Sequence, residues 1–234
     1  MRLTIILTSY DRPRFVTRAI ESVLNQTNPN WRLIIQDDGS GQGTLGKIRP
    51  YADSDHRITL HEHTVTNRRE VTRYAVLINE AMPWVDSELV GYMCDNVEYK
   101  PEMVDSVLEY FAANPNAGAG YVYHQRDWYD TSGKRRGRAS DLGHWDFTPP
   151  VVRDIHEPMG MLDHSQVFHR LPIAARWDED MAAVKCGDGL FFQKLVLERG
   201  AIRPIRPGKV LSVEHLFPVS YTHLRAHAPP EHLV

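Results

Sequence analysis

This sequence has few cysteines, no long apolar run and no strong net charge, and each of these features excludes a class of protein. Only 2 of the 234 residues are cysteines, and Cys94 and Cys186 lie far apart, which argues against a disulfide framework and favours reduced thiols in a cytoplasmic protein. No segment approaches the roughly eighteen continuous apolar residues of a membrane-spanning helix, and the run 3–7 is too short for a signal peptide. The net charge of −3 argues against a general nucleic-acid binder.

Two common nucleotide-binding motifs are also absent. No G-x-G-x-x-G follows the first apolar run and no Walker sequence occurs, which counts against a nicotinamide enzyme and a phosphate-loop nucleotidase. Nucleotide phosphates would therefore need another counter-charge. We expect a divalent cation, Mn²⁺ or Mg²⁺, helped by arginines such as Arg68 or Arg73.

Short apolar runs alternate with amphipathic segments through the first hundred residues. This order of strand and helix predicts an α/β fold, with a mostly parallel central sheet flanked by helices. The predicted strands are residues 3–8, 31–36, 57–61 and 88–93, and the predicted helices are residues 14–25, 44–51, 70–81, 103–114 and 188–199.

The second half of the chain is less regular. Residues 121–150 carry aromatics, glycines and charges without a sustained period, which predicts hairpins and loops, and residues 209–213 predict a late strand. We expect one domain over residues 1–217, and residues 218–234 lack periodicity and predict a flexible tail.

Polar residues follow the first and second predicted strands, where the ligands of parallel sheets bind. Thr8, Ser9, Tyr10 and Arg12 offer hydroxyls, an aromatic face and a cation at the start of a helix. In the pair Asp37-Asp38, one carboxylate could cap the turn and the other could accept a hydrogen bond from the imide N–H of uracil or thymine. Two turn-forming aspartates are the alternative interpretation.

Two further groups of oxygen donors follow later elements. Asp95, Asn96 and Glu98 come after the fourth predicted strand and suit Mg²⁺ or Mn²⁺. Asp188 lies between two glycines at the head of the last helix, where a substrate could approach closely. It is a candidate general base, and a helix-capping aspartate is the alternative interpretation.

Histidines are plentiful, but few of them have the spacing of a metal site. His61 and His63 share one face of a predicted strand, yet no third ligand is spaced with them, so exposed polar residues are the better interpretation. His215 follows the late strand and is a candidate metal ligand. Asp163 and His164 either orient the acceptor or the sugar, or form a buried hydrogen-bonded pair.

Several irregular strings give the sequence a resemblance to family 2 glycosyltransferases of the GT-A fold, including transferases of bacterial spore-coat polysaccharide synthesis. The resemblance runs from Leu3 to about Leu195. The strings that carry it are Thr8-Ser9-Tyr10, Gln26-Thr27, Asp37-Asp38, Thr72-Arg73-Tyr74-Ala75, Leu77-Ile78-Asn79, Asp163-His164, His169-Arg170, Trp177-Asp178-Glu179, and Gly187-Asp188 with Phe191-Phe192.

The resemblance implies a Rossmann-like sheet with a nucleotide-binding half (1–100) and an acceptor-side half (101–217). It also implies residue roles. Thr8, Tyr10, Asp38 and Arg68 would bind a uridine or thymidine diphosphate, Asp95 would contact the ribose or the metal, and Asp188 would be the catalytic base. One departure matters, because Asn96 stands where the family has a second consecutive aspartate as metal ligand. A neutral oxygen should hold the ion more weakly.

The function implied is inverting transfer of a sugar from a UDP- or TDP-sugar to an acceptor hydroxyl, in polysaccharide or glycoconjugate synthesis. Two alternatives stay open. A nucleotidyltransferase that makes the sugar nucleotide would need a glycine-rich basic loop after the first strand, which residues 9–14 lack. A nucleotide-sugar-binding module with a degenerate site would be consistent with Asn96.

Overall fold

The computed structural model describes residues 1–64, 70–130, 132, 134–138, 153–183 and 186–216. The strands are β1 (Leu3–Ser9), β2 (Trp31–Asp37), β3 (Ile58–Glu62), β4 (Leu89–Cys94), β5 (Val97–Tyr99), β6 (Ala119–Tyr121), β7 (Tyr123–Tyr129), β8 (Arg135–Arg138), β9 (Val167–Arg170), β10 (Ile202–Pro204) and β11 (Val210–Leu216). The α-helices are α1 (Pro13–Leu24), α2 (Gln42–Ser54), α3 (Arg73–Ala81), α4 (Met103–Ala113) and α5 (Gly187–Arg199).

A mixed, mostly parallel sheet forms the centre of the molecule. Its seven strands have the order β10-β6-β9-β4-β1-β2-β3. Strand β9 runs antiparallel to β4 and β6, whereas the other pairings of this sheet are parallel. The predicted α/β fold with a mostly parallel sheet flanked by helices is confirmed.

The central strands are buried on both faces, which explains why β1 is a nearly continuous apolar run. Because successive side chains alternate, Ile5 and Leu7 pack with α1 and α4 on one face, while Ile6 packs with α3 and α5 on the other. Pro13 occupies the first turn of α1, where its missing N–H costs nothing.

A second sheet of four strands, in the order β5-β11-β7-β8, lies beside the end of β4. Strand β11 pairs with β5 antiparallel and with β7 parallel, and β7 and β8 form the hairpin expected in the irregular half.

Some sequence predictions differ from the observed elements. Helix α2 is longer than the predicted 44–51, and it includes Pro50. Three-residue strands such as β5 and β10 were not predicted, nor was β9. The tail 218–234 lies outside the described residues. Within the described part of the chain, we find no helix with the length and apolar character needed to cross a membrane.

Candidate functional site

The loops after β1 and β2 are hydrogen-bonded to each other. The backbone N–H of Asp38 donates to the Ser9 carbonyl at 2.9 Å. Asp11 makes two further links, since its N–H donates to Ser40 Oγ and its Oδ1 accepts from the Gly41 N–H, both at 2.9 Å. Asp11 has a φ of 48°, in the left-handed region that aspartate tolerates better than most residues. These bonds fix the loop that carries Tyr10 and Arg12.

The two consecutive aspartates after β2 have different partners. Asp37 Oδ1 accepts from the Ser40 N–H at 2.8 Å, so it caps the turn. Asp38 Oδ1 accepts from both Nε and Nη2 of Arg73, each at 2.7 Å. The buried Asp38 is therefore held by an arginine at the edge of the loops after β1 and β2. Arg68, the arginine that the resemblance implies, lies outside the described residues.

Asp95 connects the end of β4 to the loop after β1. Its carboxylate accepts from Ser9 Oγ at 3.3 Å, from the Tyr10 N–H at 3.4 Å and from Arg12 Nη1 at 3.1 Å. Burial raises the pKa of Asp95, and the positive charge of Arg12 opposes that rise. Thr8 lies directly beside Cys94 in the β1–β4 register. The structure thus brings Thr8, Ser9, Tyr10, Arg12 and Asp95 together.

The three predicted metal ligands are neighbours with different surroundings. Asn96 Nδ2 donates to Glu214 Oε1 and to the His215 carbonyl, both at 3.2 Å. The His215 ring lies between Glu98 Oε1 at 2.9 Å and Tyr129 Oη at 3.1 Å. The Asp95 carboxylate and the Asn96 amide fit an oxygen-preferring ion, whereas the His215 ring contacts Glu98 instead.

Asp188 lies in a second cluster, on the β9 side of β4. Helix α5 begins at Gly187 with Cys186 as its N-cap residue, so Asp188 is in the first turn and is not the cap. Its Oδ2 accepts from the N–H of His164 and from the His164 ring nitrogen Nδ1, both at 3.3 Å. The other ring nitrogen, Nε2, is 2.9 Å from Cys94 Sγ.

The glycines beside Asp188 leave room for protein side chains. A Cβ on Gly187 would be 2.1 Å from the Tyr74 hydroxyl, and one on Gly189 would be 2.5 Å from the Met159 sulfur. We expected these glycines to admit a substrate. In this structure they admit Tyr74 and Met159.

Asp163 caps the short 3₁₀ turn that begins at His164. Its Oδ1 accepts from the Ser165 N–H at 2.9 Å, while Gln166 Oε1 accepts from the Asp163 N–H at 2.9 Å. Burial alone would raise the pKa of Asp163, but the positive charges of His164 and Arg126 outweigh it and lower that pKa. Asp163, His164 and Asp188 have potential ligand atoms within 4.8 Å of one another, a spacing that could hold a metal ion.

A buried ion pair connects this turn to the second sheet. Arg126 on β7 lies 2.6 Å from Glu214 on β11 and 3.7 Å from Asp163. The sequence analysis gave Arg126, Glu214, Tyr74 and Cys94 no place in the site, because no spacing pattern shows that distant residues meet here.

His61 on β3 and His63 just after it are half-buried, and not exposed as expected, because both rings pack against the buried side chain of Gln36. His61 Nδ1 lies 3.0 Å from Gln36 Nε2, and His63 Nε2 lies 2.5 Å from Gln36 Oε1. One glutamine side chain therefore bridges both rings.

Comparisons with known proteins agree with this architecture. The family model "Glycosyl transferase family 2" matches residues 4–169. Protein CgeD of Bacillus subtilis is 32% identical over 208 residues, which cover 83% of this chain and 46% of CgeD. The chain therefore spans less than half of that relative's length.

Two solved structures share the fold at low sequence identity. Staphylococcus aureus TarS 1–349 in complex with UDP-GlcNAc has a TM-score of 0.65 at 14% identity, covering 92% of this chain and 59% of that one. The mannosyltransferase PcManGT from Pyrobaculum calidifontis, in complex with GDP-Man and Mn²⁺, has a TM-score of 0.68 at 18% identity. The match covers 97% of this chain and 60% of PcManGT. The fold is that of GT-A glycosyltransferases, and the family match covers most of the chain. The chain belongs to glycosyl transferase family 2.

Proposed function

We propose that this chain is an inverting glycosyltransferase that moves a sugar from a UDP- or TDP-sugar to an acceptor hydroxyl, in polysaccharide or glycoconjugate synthesis. One observation carries the proposal. The consecutive residues Cys94 and Asp95 connect two clusters, since Asp95 joins the β1 loop and Cys94 joins His164 and Asp188. A nucleotide on the first cluster would direct its sugar towards the second.

The donor site is proposed to use the loops after β1, β2 and β4. Tyr10 would stack on the base, Asp38 would accept from the imide N–H, and Asp95 would receive the ribose. Arg12 and Arg68 would lie near the diphosphate, and Arg73 holds the Asp38 carboxylate in place. These residues belong to the proposed nucleotide-binding half, 1–100.

A divalent cation is proposed as cofactor, with Asp95 and Asn96 as its protein ligands and His215 as a nearby candidate. When bound, it would neutralise part of the diphosphate charge. PcManGT is a fold relative described with Mn²⁺, and the Asp163, His164 and Asp188 group is a second place where an ion could bind.

The reaction is proposed to be a single in-line displacement. Asp188 takes the proton of the acceptor hydroxyl as the acceptor oxygen bonds to the anomeric carbon, and the bond from that carbon to the diphosphate oxygen breaks with its electron pair. The configuration of the sugar inverts because there is one displacement. Residues 101–217, with Asp163 and His164, would form the acceptor and sugar side. We propose that the reaction is cytoplasmic, where the free thiols of Cys94 and Cys186 would stay reduced.

Replacing Asp188 with asparagine tests the base assignment. Asp188→Asn should lower kcat by about 10²–10⁴-fold while leaving the affinity for the donor unchanged, because the amide cannot accept the proton. The measurement is release of nucleoside diphosphate from a panel of UDP- and TDP-sugars with saccharide acceptors and Mn²⁺.

Asp53→Asn is the matched control, since Asp53 is an exposed carboxylate near the end of α2. Normal transfer by Asp188→Asn would show that the base lies elsewhere. Nucleotide binding by the unaltered chain with no turnover of any donor would favour the binding module instead.

A further inference from the structure

Three side chains form a row that crosses from the end of β4 to the head of α5. Cys94 Sγ lies 2.9 Å from His164 Nε2, and His164 Nδ1 lies 3.3 Å from Asp188 Oδ2. The proposed base is thus the outermost member, with 26% of its side chain exposed, while His164 is buried. The arrangement resembles a base oriented by a second group, as in catalytic triads of other enzymes.

The His164 ring is held on its faces and edges as well as at its nitrogens. Tyr74 stacks on it with the rings 3° from parallel and their centroids 5.8 Å apart. Trp177 approaches at 86° with a centroid distance of 6.1 Å. A ring confined in this way keeps one orientation.

His164 donates twice to the same oxygen of Asp188. Its backbone N–H and its Nδ1 are both 3.3 Å from Oδ2, and within the described residues Oδ1 has no hydrogen-bond partner. Two donors on one oxygen restrict rotation of the carboxylate. They leave Oδ1 for another hydrogen-bonding group, such as an acceptor hydroxyl.

We propose that His164 is a positioning residue that orients Asp188 for proton transfer, and that the Cys94 thiol orients His164 in turn. This inference rests on the proposed function, because it presumes that Asp188 is the base. It changes the role expected of His164, which now acts through Asp188 and does not itself contact the sugar.

Comparing kcat of the His164→Asn and His164→Gln variants distinguishes a positioning role of His164 from a packing role. Asparagine places an amide N–H near the position of Nδ1, so it can still donate to Asp188, whereas glutamine places its amide near Nε2. We expect His164→Asn to lower kcat by less than about 10-fold, because it keeps the donor to Asp188 and loses only the contact with Cys94. His164→Gln should lower kcat by about 10–100-fold, because misplaced catalytic groups cost factors of this size. The KM for the donor should change little in either variant.

A purely structural role would give another ranking. His164→Phe keeps a ring against Tyr74 and loses both hydrogen bonds, so packing alone would favour phenylalanine over asparagine. Higher kcat in the phenylalanine variant than in the asparagine variant would overturn the proposal. Equal kcat for asparagine and glutamine would overturn it as well.

The other end of the row gives an independent test if the His164 variants fold poorly. Cys94→Ser keeps a hydrogen-bonding atom near Nε2, whereas Cys94→Ala removes it. We expect the serine variant to keep kcat within about 2-fold and the alanine variant to lose about 3–10-fold. Equal kcat in the serine and alanine variants would show that Cys94 does not orient His164.

Two controls distinguish the possible failures. If Asp188→Asn is inactive and His164→Gln has full kcat, the base stands and the positioning role is wrong. If Asp188→Asn is fully active, both proposals fail.

Mn²⁺ added without nucleotide should not raise the Tm of the unaltered chain more than it raises the Tm of His164→Asn. A larger rise in the unaltered chain would identify His164 as a metal ligand and overturn the positioning role.

Discussion

The hydroxyl of Tyr74 lies against the backbone of Gly187, where any other residue would carry its Cβ. The Tyr74 ring cannot easily move away, because it stacks on His164 and contacts Trp177 edge-on with a centroid distance of 5.9 Å. One glycine therefore sets the distance between α3 and the head of α5. The proposed base is the next residue along the chain.

Substituting Gly187→Ala should destabilise the chain by about 1–3 kcal/mol, the usual cost of overpacking a buried contact. The loss should be smaller in a Tyr74→Phe background, because the nearest Tyr74 atom is then Cζ, 3.2 Å from the new Cβ. Urea denaturation of the four variants in a double-mutant cycle measures the difference.

Gly46→Ala is the matched control for this substitution. Gly46 is exposed in α2, and a Cβ there meets nothing within 4 Å. Alanine should stabilise α2 by about 0.5–1 kcal/mol, through its higher helix propensity. If Gly187→Ala behaves like Gly46→Ala, the contact with Tyr74 does not constrain the head of α5.

Residue roles could be predicted from sequence only where local turn chemistry decides them. One aspartate of the pair Asp37-Asp38 was expected to cap the turn, and Asp37 does so because the turn needs one acceptor, whereas the role of Asp38 towards a base stays a prediction. The partner of Asp38 is Arg73, which lies 35 positions away, and no spacing rule selects it over Arg68. The contact between Cys94 and His164 spans 70 positions and depends on the strand order.

At the scale of elements, the loops after β1 and β2 act as one unit because Asp11 joins them. The link has a conformational requirement, since Asp11 must adopt a positive φ. Alanine would adopt this conformation at a cost of about 1–2 kcal/mol, and it would also lose the acceptor for the Gly41 N–H.

Asp11→Ala should therefore raise the Kd for UDP several-fold, because the loop that carries Tyr10 is no longer fixed. Asp11→Asn is the matched variant, since asparagine tolerates a positive φ and its Oδ1 can still accept from Gly41. Calorimetric titration with UDP measures the Kd of the Asp11→Ala and Asp11→Asn variants. Unchanged UDP affinity in the alanine variant would show that the link does not organise the donor loops.

The elements of the first half were predictable, and those of the second half were less so. Strands β1, β2 and β4 are buried on both faces, so their apolar runs are unambiguous. Strand β9 has only four residues, including buried His169 and the partly buried Arg170, so it resembles a loop in sequence. Helix α2 extends beyond both ends of the predicted 44–51, because weakly periodic residues at its two ends are helical in the fold. Tertiary packing, and not local propensity, forms these elements.

At the scale of the whole molecule, binding of the correct nucleotide should stabilise the native state. A ligand present at about 100 times its Kd raises the free energy of unfolding by about 2.7 kcal/mol. For a chain of this size, that corresponds to a rise in Tm of about 5–10 °C. We expect UDP and TDP to give this rise and GDP and ADP a smaller one. Removing divalent ions with EDTA should reduce the rise, because the proposed metal would neutralise part of the diphosphate charge.

CDP is the sharpest comparison in this thermal-shift series. Cytosine has an acceptor at the ring position where uracil has its imide N–H, so it cannot donate to Asp38. A rise with CDP equal to that with UDP would show that Asp38 does not read the base.

The whole-molecule arrangement also depends on pairs of residues from distant parts of the chain. Arg126 and Glu214 are 88 positions apart but pair across the neighbouring strands β7 and β11, and Arg126 also lies 3.7 Å from Asp163, which links the second sheet to the turn that carries His164. The sequence predicted a nucleotide-binding edge and a separate catalytic aspartate. It could not predict that the buried Arg126 would connect the second sheet to Asp163, the residue that caps the turn carrying His164.

Two consecutive residues at the end of β4 contact different neighbours: Cys94 contacts the turn before β9, and Asp95, the next residue, contacts the loop after β1. A chimera that exchanges the proposed donor or acceptor halves between relatives must therefore keep the positions of Cys94 and Asp95. Insertion of one residue here would turn the thiol towards the loop after β1 and the carboxylate away from it, even if every grafted loop folded correctly. Recombination points for new sugar specificities are thus safer in the loops than at this strand end.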